Sequence, residues 1–359
     1  MPQGRKLSAL LGSIRPPMED AAHRARQRWD ACAKPLGSLG LLEDMVTDMA
    51  ALIGTEQLRL TPRAVLVLCA DNGVVAQGVS QSGSEVTGIV ARELAEGKSN
   101  VCRMAALADC RVVPVDMGIR DFMPWSGVLS RRIDNGTADM TFGPAMSYDQ
   151  AEQAILTGID LVRQQKEAGM HLLATGEMGI GNTTTATAVS CVLLGVSPQE
   201  LTGRGAGLSD QGLVRKRQAI EKAIACNRPD AKDPVDILSK VGGFDIAGLC
   251  GVFLGGAIYR IPVLIDGAIS AAAALCAVRL APLASAAIFA THQSAEPAGK
   301  LLLEALGKRP ILTAGMRLGE GTGAVAVMPV LDMAMAIYDG STFDDYGMQP
   351  YTPQGGAGC

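Results

Sequence analysis

A chain of 359 residues with 36 acidic and 32 basic side chains, a formal net charge of −4 and no segment that gathers basic and aromatic residues excludes a nucleic-acid groove. Its 48% hydrophobic content and 42 glycines suit a globular enzyme with many tight strand-to-helix turns, long enough for a dominant domain and a minor one. Nine cysteines, at 32, 69, 102, 110, 191, 226, 250, 276 and 359, form no CxxC pair and mostly sit in apolar stretches, so they read as reduced, buried thiols of a cytoplasmic protein rather than disulfides or zinc ligands.

The chain starts polar and basic around a brief apolar run, Leu7 to Ile14, too weak for a secretory signal. Leu41 to Leu52 follows with a helical pattern. From Arg63 onward one syntax repeats: a short apolar run ending in Gly, Asp or Asn, then an alanine-rich amphipathic segment. Runs that are apolar on both faces predict strands of a buried parallel sheet. They fall at Ala64–Ala70, Arg111–Asp116, His171–Thr175, Pro262–Asp266 and Ala286–Thr291. Alternation with helices predicts a doubly wound, mostly parallel α/β sheet with right-handed crossovers.

The longest apolar tract, Ala268 to Ala290, has the length of a membrane span but carries Arg279 and Pro282 in its middle and is dominated by alanine. A charge and a helix breaker at that depth predict close-packed core helices instead. After about Ile311 the strand alternation stops, and Met328 to Tyr338 is helix-like. We therefore expect residues 1–62 and 311–359 to build a smaller helical lobe from both chain ends, beside a large α/β catalytic domain over 63–310. The turn-rich tail from Gly340 reads as a cover or a frayed end.

Ligands of an open α/β sheet sit beyond the carboxyl ends of its strands. There the chain places Gly176-Glu177-Met178-Gly179-Ile180-Gly181-Asn182-Thr183, a glycine-rich turn opening a helix. Such a turn brings backbone N–H groups and the helix dipole to an anion, but it also fits an ordinary strand-to-helix turn capped by Asn or Thr. It lacks the GK[ST] of a P-loop and the GxGxxG of a dinucleotide fold. Arg317-Leu318-Gly319-Glu320-Gly321-Thr322-Gly323-Ala324 sets a carboxylate among glycines, readable as an accessible catalytic carboxylate or as a helix-start charge. Lys34 to Gly40, Asp71 to Val74, Gly203 to Gly205 with Lys216, and His292 to Glu296 are each weak alone. With no second His or acid at metal spacing beside His292, neither a metal nor any other cofactor is expected.

Taken together and in order, KPLGSLGLLE at 34–43, DNGV at 71–74, GEMGIGNTTTA at 176–186, KVGGFDIAGLCGVFLGG at 240–256, LIDG at 264–267, HQSAE at 292–296 and RLGEGTGA at 317–324 resemble the nicotinate-nucleotide–dimethylbenzimidazole phosphoribosyltransferase family over nearly the whole chain. The resemblance implies a Rossmann-like large domain, a homodimer, and transfer of the 5-phosphoribosyl group of nicotinate mononucleotide to an aromatic base in cobamide biosynthesis. It implies that Glu320 is the general base and that Glu177 is an active-site carboxylate beside the ribose and leaving group. Gly176, Gly179, Gly181, Asn182, Lys216, Ser294 and Gly319 are assigned by it to the phosphate and ribose, and Asn72, Ser82 and Val90 to the base pocket.

Two positions depart from the family pattern. Asn72 stands where a histidine is common and Val90 where a glutamine is common. Loss of that amide makes a pocket more apolar and less able to read a heterocycle. A base other than dimethylbenzimidazole fits that change, as does a related branch that activates phenols as a heterodimer of homologous subunits. Retention of Glu177, Lys216 and Glu320 argues against a catalytically silent structural homologue.

Overall fold

A computed structural model describes residues 3–352. Strand β1 (Arg63–Ala70) lies at the centre of a six-stranded, entirely parallel sheet, and all eight of its residues are buried. Beside it run β2 (Cys110–Gly118) and β4 (Leu172–Met178); β3 (Leu129–Ser130), β5 (Val263–Ile265) and β6 (Ile288–Ala290) complete the order β3-β2-β1-β4-β5-β6. The register pairs Val65 with Val112 on one side and with Ala174 on the other. Full burial of both faces is why the runs of β1 and β4 carry no polar alternation. Each buried Val or Leu there contributes roughly 1.5–3 kcal/mol by leaving water.

The chain leaves β1 for β2 on one side and returns past it to β4 on the other, so the connections diverge between β1 and β4. In such a sheet that divergence opens the ligand crevice. The loops after the two strands are tied together there by the Asn72 N–H donating to the Ile180 carbonyl at 3.3 Å. Below, the helix Phe244–Tyr259 crosses the helix Tyr148–Glu167 at glycines: a Cβ on Gly158 would stand 2.0 Å from the Gly248 carbonyl oxygen. Only a residue without a side chain permits that approach.

Helices from the two chain ends pack together. Trp29, on the helix Glu19–Ala31, meets Tyr338, on the helix Thr322–Tyr338, with ring centroids 4.8 Å apart. The buried Arg63 guanidinium anchors the latter helix to the start of β1, donating to both carboxylate oxygens of Asp332 at 2.7 Å. The buried apolar residues nevertheless form one continuous cluster from Leu7 to Tyr338, shared by sheet and chain ends.

Several boundaries differ from the sequence expectation. β2 is longer at both ends: half-buried Cys110 pairs with Arg63 at its start, and buried Met117 and Gly118 carry it past Asp116 at its finish, where Gly118 pairs with Ala70. β5 and β6 keep three residues each, and β3 was not expected at all. The tract 268–290 divides into the helix Ala268–Leu280, a 3-10 turn at Pro282–Ala287 and β6. Among the described residues no helix is long and apolar enough to cross a membrane. All eight described cysteines are free thiols, Cys226 exposed and six of them buried, while Cys359 lies outside the described residues. The tail buries Phe343 and packs it 4.9 Å from Tyr351.

Candidate active site

The carboxyl ends of β4, β5 and β6 open into one cleft of about 250 Å³. The β4 end supplies Glu177 and the turn from Gly179 to Asn182, the β5 end Asp266, and the β6 end His292, Ser294 and Glu296. Across from them stand Arg317 to Glu320, and the helix Asn182–Leu194 contributes a wall through Thr183, Thr187 and Ser190.

The β4 turn is shaped by close approach. A Cβ on Gly179 would lie 2.2 Å from the Ala70 carbonyl oxygen, and Gly181 caps the helix at φ +92, in the left-handed region. The helix therefore begins with its amides at the cleft, where an anion is favoured. Lys216, on the helix Asp210–Asn227, reaches the same point. Its ammonium donates to Thr183 Oγ1 at 2.8 Å and to the Gly203 carbonyl at 3.2 Å, and both partners are uncharged. Burial lowers its pKa to about 8, against the negative charge of Glu296. A buried cation with neutral partners is poised for an anion that enters the cleft.

Glu320 sits at φ +60 between Gly319 at +87 and Gly321 at +92. A left-handed glutamate costs on the order of 1 kcal/mol and persists only where its surroundings hold it. They do so tightly: a Cβ on Gly176 would be 2.6 Å from the Glu320 carbonyl oxygen, and one on Gly319 would be 2.7 Å from Glu177 Oε1. Asp266 accepts hydrogen bonds from the amides of Gly321, Gly323 and Ala324 at 3.1, 2.8 and 3.2 Å. The Glu320 carboxylate accepts the Val101 N–H at 3.4 Å. Partial burial raises its pKa above the ordinary value, opposed by Val101 and Ser99 and reinforced by Asp266.

Glu177 is buried and accepts from the Asn182 side chain. Burial first, then the nearby Asp245 and Asp266 carboxylates, push its pKa well above the ordinary range. Two glutamates with different exposure thus face one cleft, the arrangement by which a fold separates acid and base roles.

Glu320 also lines a second, shallower pocket with Val90, Glu93, Lys98, Ser99, Asn100 and Arg103. Among the described residues it is the one that lines both this pocket and the main cleft. Of the residues assigned from sequence, Glu177, Gly179, Asn182, Ser294, Gly319 and Glu320 line the main cleft, and Val90 lines the second pocket. Gly176 lies beneath, inside β4, and Lys216 behind Thr183. Asn72 lines neither: its side chain is buried, with Oδ1 accepting the Thr185 hydroxyl at 3.2 Å. Ser82 also lines neither, and its amide bonds to Ser80 Oγ at 3.2 Å. Gly181 lies with Asn182 and Arg204 in a small adjoining pocket.

Asp266, Thr183 and Arg317 received no role in the sequence reading, although each lines the cleft. For Asp266 a signal existed, an acid directly after an apolar run, where strand ends meet ligands. Among the described residues no group of three or more His, Cys, Asp or Glu side chains could hold a metal ion.

Residues 14–348 match the phosphoribosyltransferase family model. The chain is 46% identical over 349 residues to the nicotinate-nucleotide–dimethylbenzimidazole phosphoribosyltransferase of Acetivibrio thermocellus, covering 97% of this chain and 99% of that protein. It is 44% identical over 344 residues to the protein of the same name from Ruminiclostridium cellulolyticum, covering 96% and 98%. Its fold is similar to the crystal structure of CobT from Thermus thermophilus, with a TM-score of 0.87 at 40% identity over 92% of this chain and 99% of that one.

Proposed function

The chain belongs to the nicotinate-nucleotide–dimethylbenzimidazole phosphoribosyltransferase family, and from that premise we propose that it transfers the 5-phosphoribosyl group of nicotinate mononucleotide to dimethylbenzimidazole or a related aromatic base. The products are an α-riboside 5′-phosphate and nicotinate, the activated lower ligand of cobamide biosynthesis.

In this reading the nucleotide occupies the main cleft. Its 5′-phosphate lies against Gly179, Gly181, Asn182, Lys216 and Ser294, and its ribose between Glu177 and Gly319. The base enters the shallower pocket beside Val90. The glycosidic nitrogen of the donor is a pyridinium, so when its bond to C1′ breaks the electron pair leaves with a neutral ring and no acid is required. C1′ passes through an oxocarbenium-like state, as in glycoside cleavage. The incoming ring nitrogen forms the new bond from the opposite face, which converts the β-nucleotide to an α-riboside. The attacking heterocycle then carries one proton too many, and Glu320 accepts it from the other ring nitrogen. Holding the two planar rings in line supplies much of the remaining acceleration.

The observation that carries this reading is the position of Glu320, which borders both pockets and is held there in a left-handed turn. Selection among acceptors is less strict than with an amide at the same place, because Val90 offers no hydrogen bond to a heterocycle. The homodimer that the family resemblance implies, and a cytoplasmic setting in keeping with the free thiols, complete the proposal. The test is incubation of the purified chain with nicotinate mononucleotide and a mixture of benzimidazoles, purines and phenols, with mass spectrometry of the riboside phosphates. Formation of one or more from the chain alone supports the proposal. A chain that turns over only with a homologous partner subunit points to the heterodimeric branch, and no product under either condition defeats both.

A further inference from the structure

Asp266 stands immediately after β5, where an open sheet presents its ligand-binding residues, yet both of its carboxylate oxygens are already engaged by protein amides. Its own amide is braced from below by Thr175 Oγ1 at 3.1 Å and Ser270 Oγ at 3.2 Å. Thr175 Oγ1 in turn donates to the Leu264 carbonyl at 2.9 Å. The carboxylate is therefore hung from the buried core of β4 and β5. The amides it receives are those of Gly321, Gly323 and Ala324, at the opening of the helix Thr322–Tyr338 and directly after the left-handed Glu320.

We propose that Asp266 is a positioning residue for Glu320: by accepting three backbone amides it fixes the Gly319-Glu320-Gly321 turn so that the glutamate carboxylate sits at the junction of the two pockets. The proposal rests on the reading of Glu320 as general base. A carboxylate at a helix N-terminus commonly does no more than offset the dipole and unpaired amides. Here the same contacts set the backbone of a residue whose conformation is disfavoured and whose side chain must be placed to within a fraction of an ångström for proton transfer.

Asp266 also acts through its charge. Glu177 from β4, His292 from the loop after β6 and Glu320 from the turn all face it. Glu320 is further surrounded by Glu93, Lys98 and Arg103 in the second pocket. A negative neighbour makes Glu320 harder to ionise, hence a stronger base. Geometry and charge can be separated by two substitutions. Asp266→Asn keeps the shape but removes the charge and turns one acceptor into a donor against an amide. Asp266→Glu keeps the charge and displaces it by one methylene.

The experiment measures kcat, KM for nicotinate mononucleotide and the pH profile of kcat for both variants beside Glu320→Gln, with thermal unfolding as the folding control. Asp332→Asn serves as reference, because it breaks the Arg63 pair on the same helix far from the cleft. We expect kcat of Asp266→Asn to fall about 10- to 100-fold with KM changed less than about threefold, since misplacing a reacting group by about an ångström has that effect. Its acid limb should move to lower pH, because Glu320 without the negative neighbour ionises more readily. Asp266→Glu should lose kcat with its acid limb in place, and it carries the test if the asparagine variant does not fold. Asp332→Asn should melt earlier with wild-type kcat and limb. Wild-type kcat in folded Asp266→Asn or Asp266→Glu overturns the proposal, as does a loss fully accounted for by unfolded protein. If Glu320→Gln is itself fully active, the underlying reading fails instead.

Discussion

The ammonium of Lys216 is buried against the hydroxyl of Thr183, 2.8 Å away, so a cation from one helix ends at the first turn of another that opens on the cleft. Its side chain is almost wholly enclosed, with 1% of the residue's surface exposed. Burying a charge beside neutral groups is costly, and the cost is recovered when an anion arrives.

If that anion is the 5′-phosphate, Lys216→Ala should weaken nicotinate mononucleotide binding by about 1.5–3 kcal/mol, the range of hydrogen bonds to charged groups. The pH dependence has a definite sign. Only the protonated amine attracts phosphate, and burial has lowered its pKa to about 8 in the free protein. Affinity in the wild type should therefore fall as pH rises through that value, while Lys216→Ala should show no such fall. Calorimetric titration from about pH 6.5 to about 9.5, bracketing the lysine's titration, checks both. Equal affinities for the two proteins would remove the phosphate from this site.

Gly319 is predicted to tolerate no side chain. At φ +87 it lies where L residues are strained, and a Cβ would come 2.7 Å from Glu177 Oε1. Gly319→Ala should lower stability by about 1–3 kcal/mol and kcat by an order of magnitude or more, because relief requires moving either Glu177 or the Glu320 turn. Relief of the contact by motion of the Glu177 side chain alone would leave only the cost of the left-handed backbone, about 1 kcal/mol, together with a raised KM. A variant unchanged in melting temperature, kcat and KM would show that the two acids are not packed as described.

How much of this was legible in the sequence depended on residue context. The runs of β1 and β4 and the inner part of β2 announce themselves because burial on both faces favours apolar residues there. β3 did not, since two residues, one of them exposed, give no pattern to read. Glu177 and Glu320 stood out through the glycines around them. Asp266 carries only its place after an apolar run, because its work, binding amides 55 to 58 positions away, is encoded by no local motif. Asn72 is assigned to the base pocket by the family resemblance alone, but its side chain turns inward to Thr185, an orientation set by tertiary packing.

The joined chain ends give a stability prediction. Trp29 has no exposed surface and packs on Tyr338, and Lys34 stands 5.2 Å over its ring, yet its indole Nε1 has no hydrogen-bond partner. Removing the ring should cost about 3–5 kcal/mol in Trp29→Ala, whereas Trp29→Phe should cost much less, because it gives up no hydrogen bond and only part of the volume. Chemical denaturation of the two variants distinguishes these outcomes. A phenylalanine variant as unstable as the alanine one would mean that the indole nitrogen is satisfied in solution.

The most discriminating prediction concerns Glu320. Removing a positioned general base costs about 10² to 10⁴ in rate, so Glu320→Gln should lower kcat by that order while nicotinate mononucleotide still binds. The substitution is close to isosteric, so the turn held by Asp266 should survive and the melting temperature should change little. Because burial and Asp266 raise the pKa of this carboxylate, wild-type kcat should fall as pH drops through it, since only the ionised form accepts a proton. The variant should lack that acid limb. The loss should also depend on the acceptor: a benzimidazole must shed a proton after attack, whereas a phenol already ionised at high pH has none to give up. With such a phenol the variant should recover toward wild type, provided the phenol enters the pocket beside Val90. If Glu320→Gln keeps near wild-type kcat with every acceptor the enzyme takes, the carboxylate serves structure alone, and Glu177, more deeply buried and less readily ionised, becomes the group to test for proton transfer.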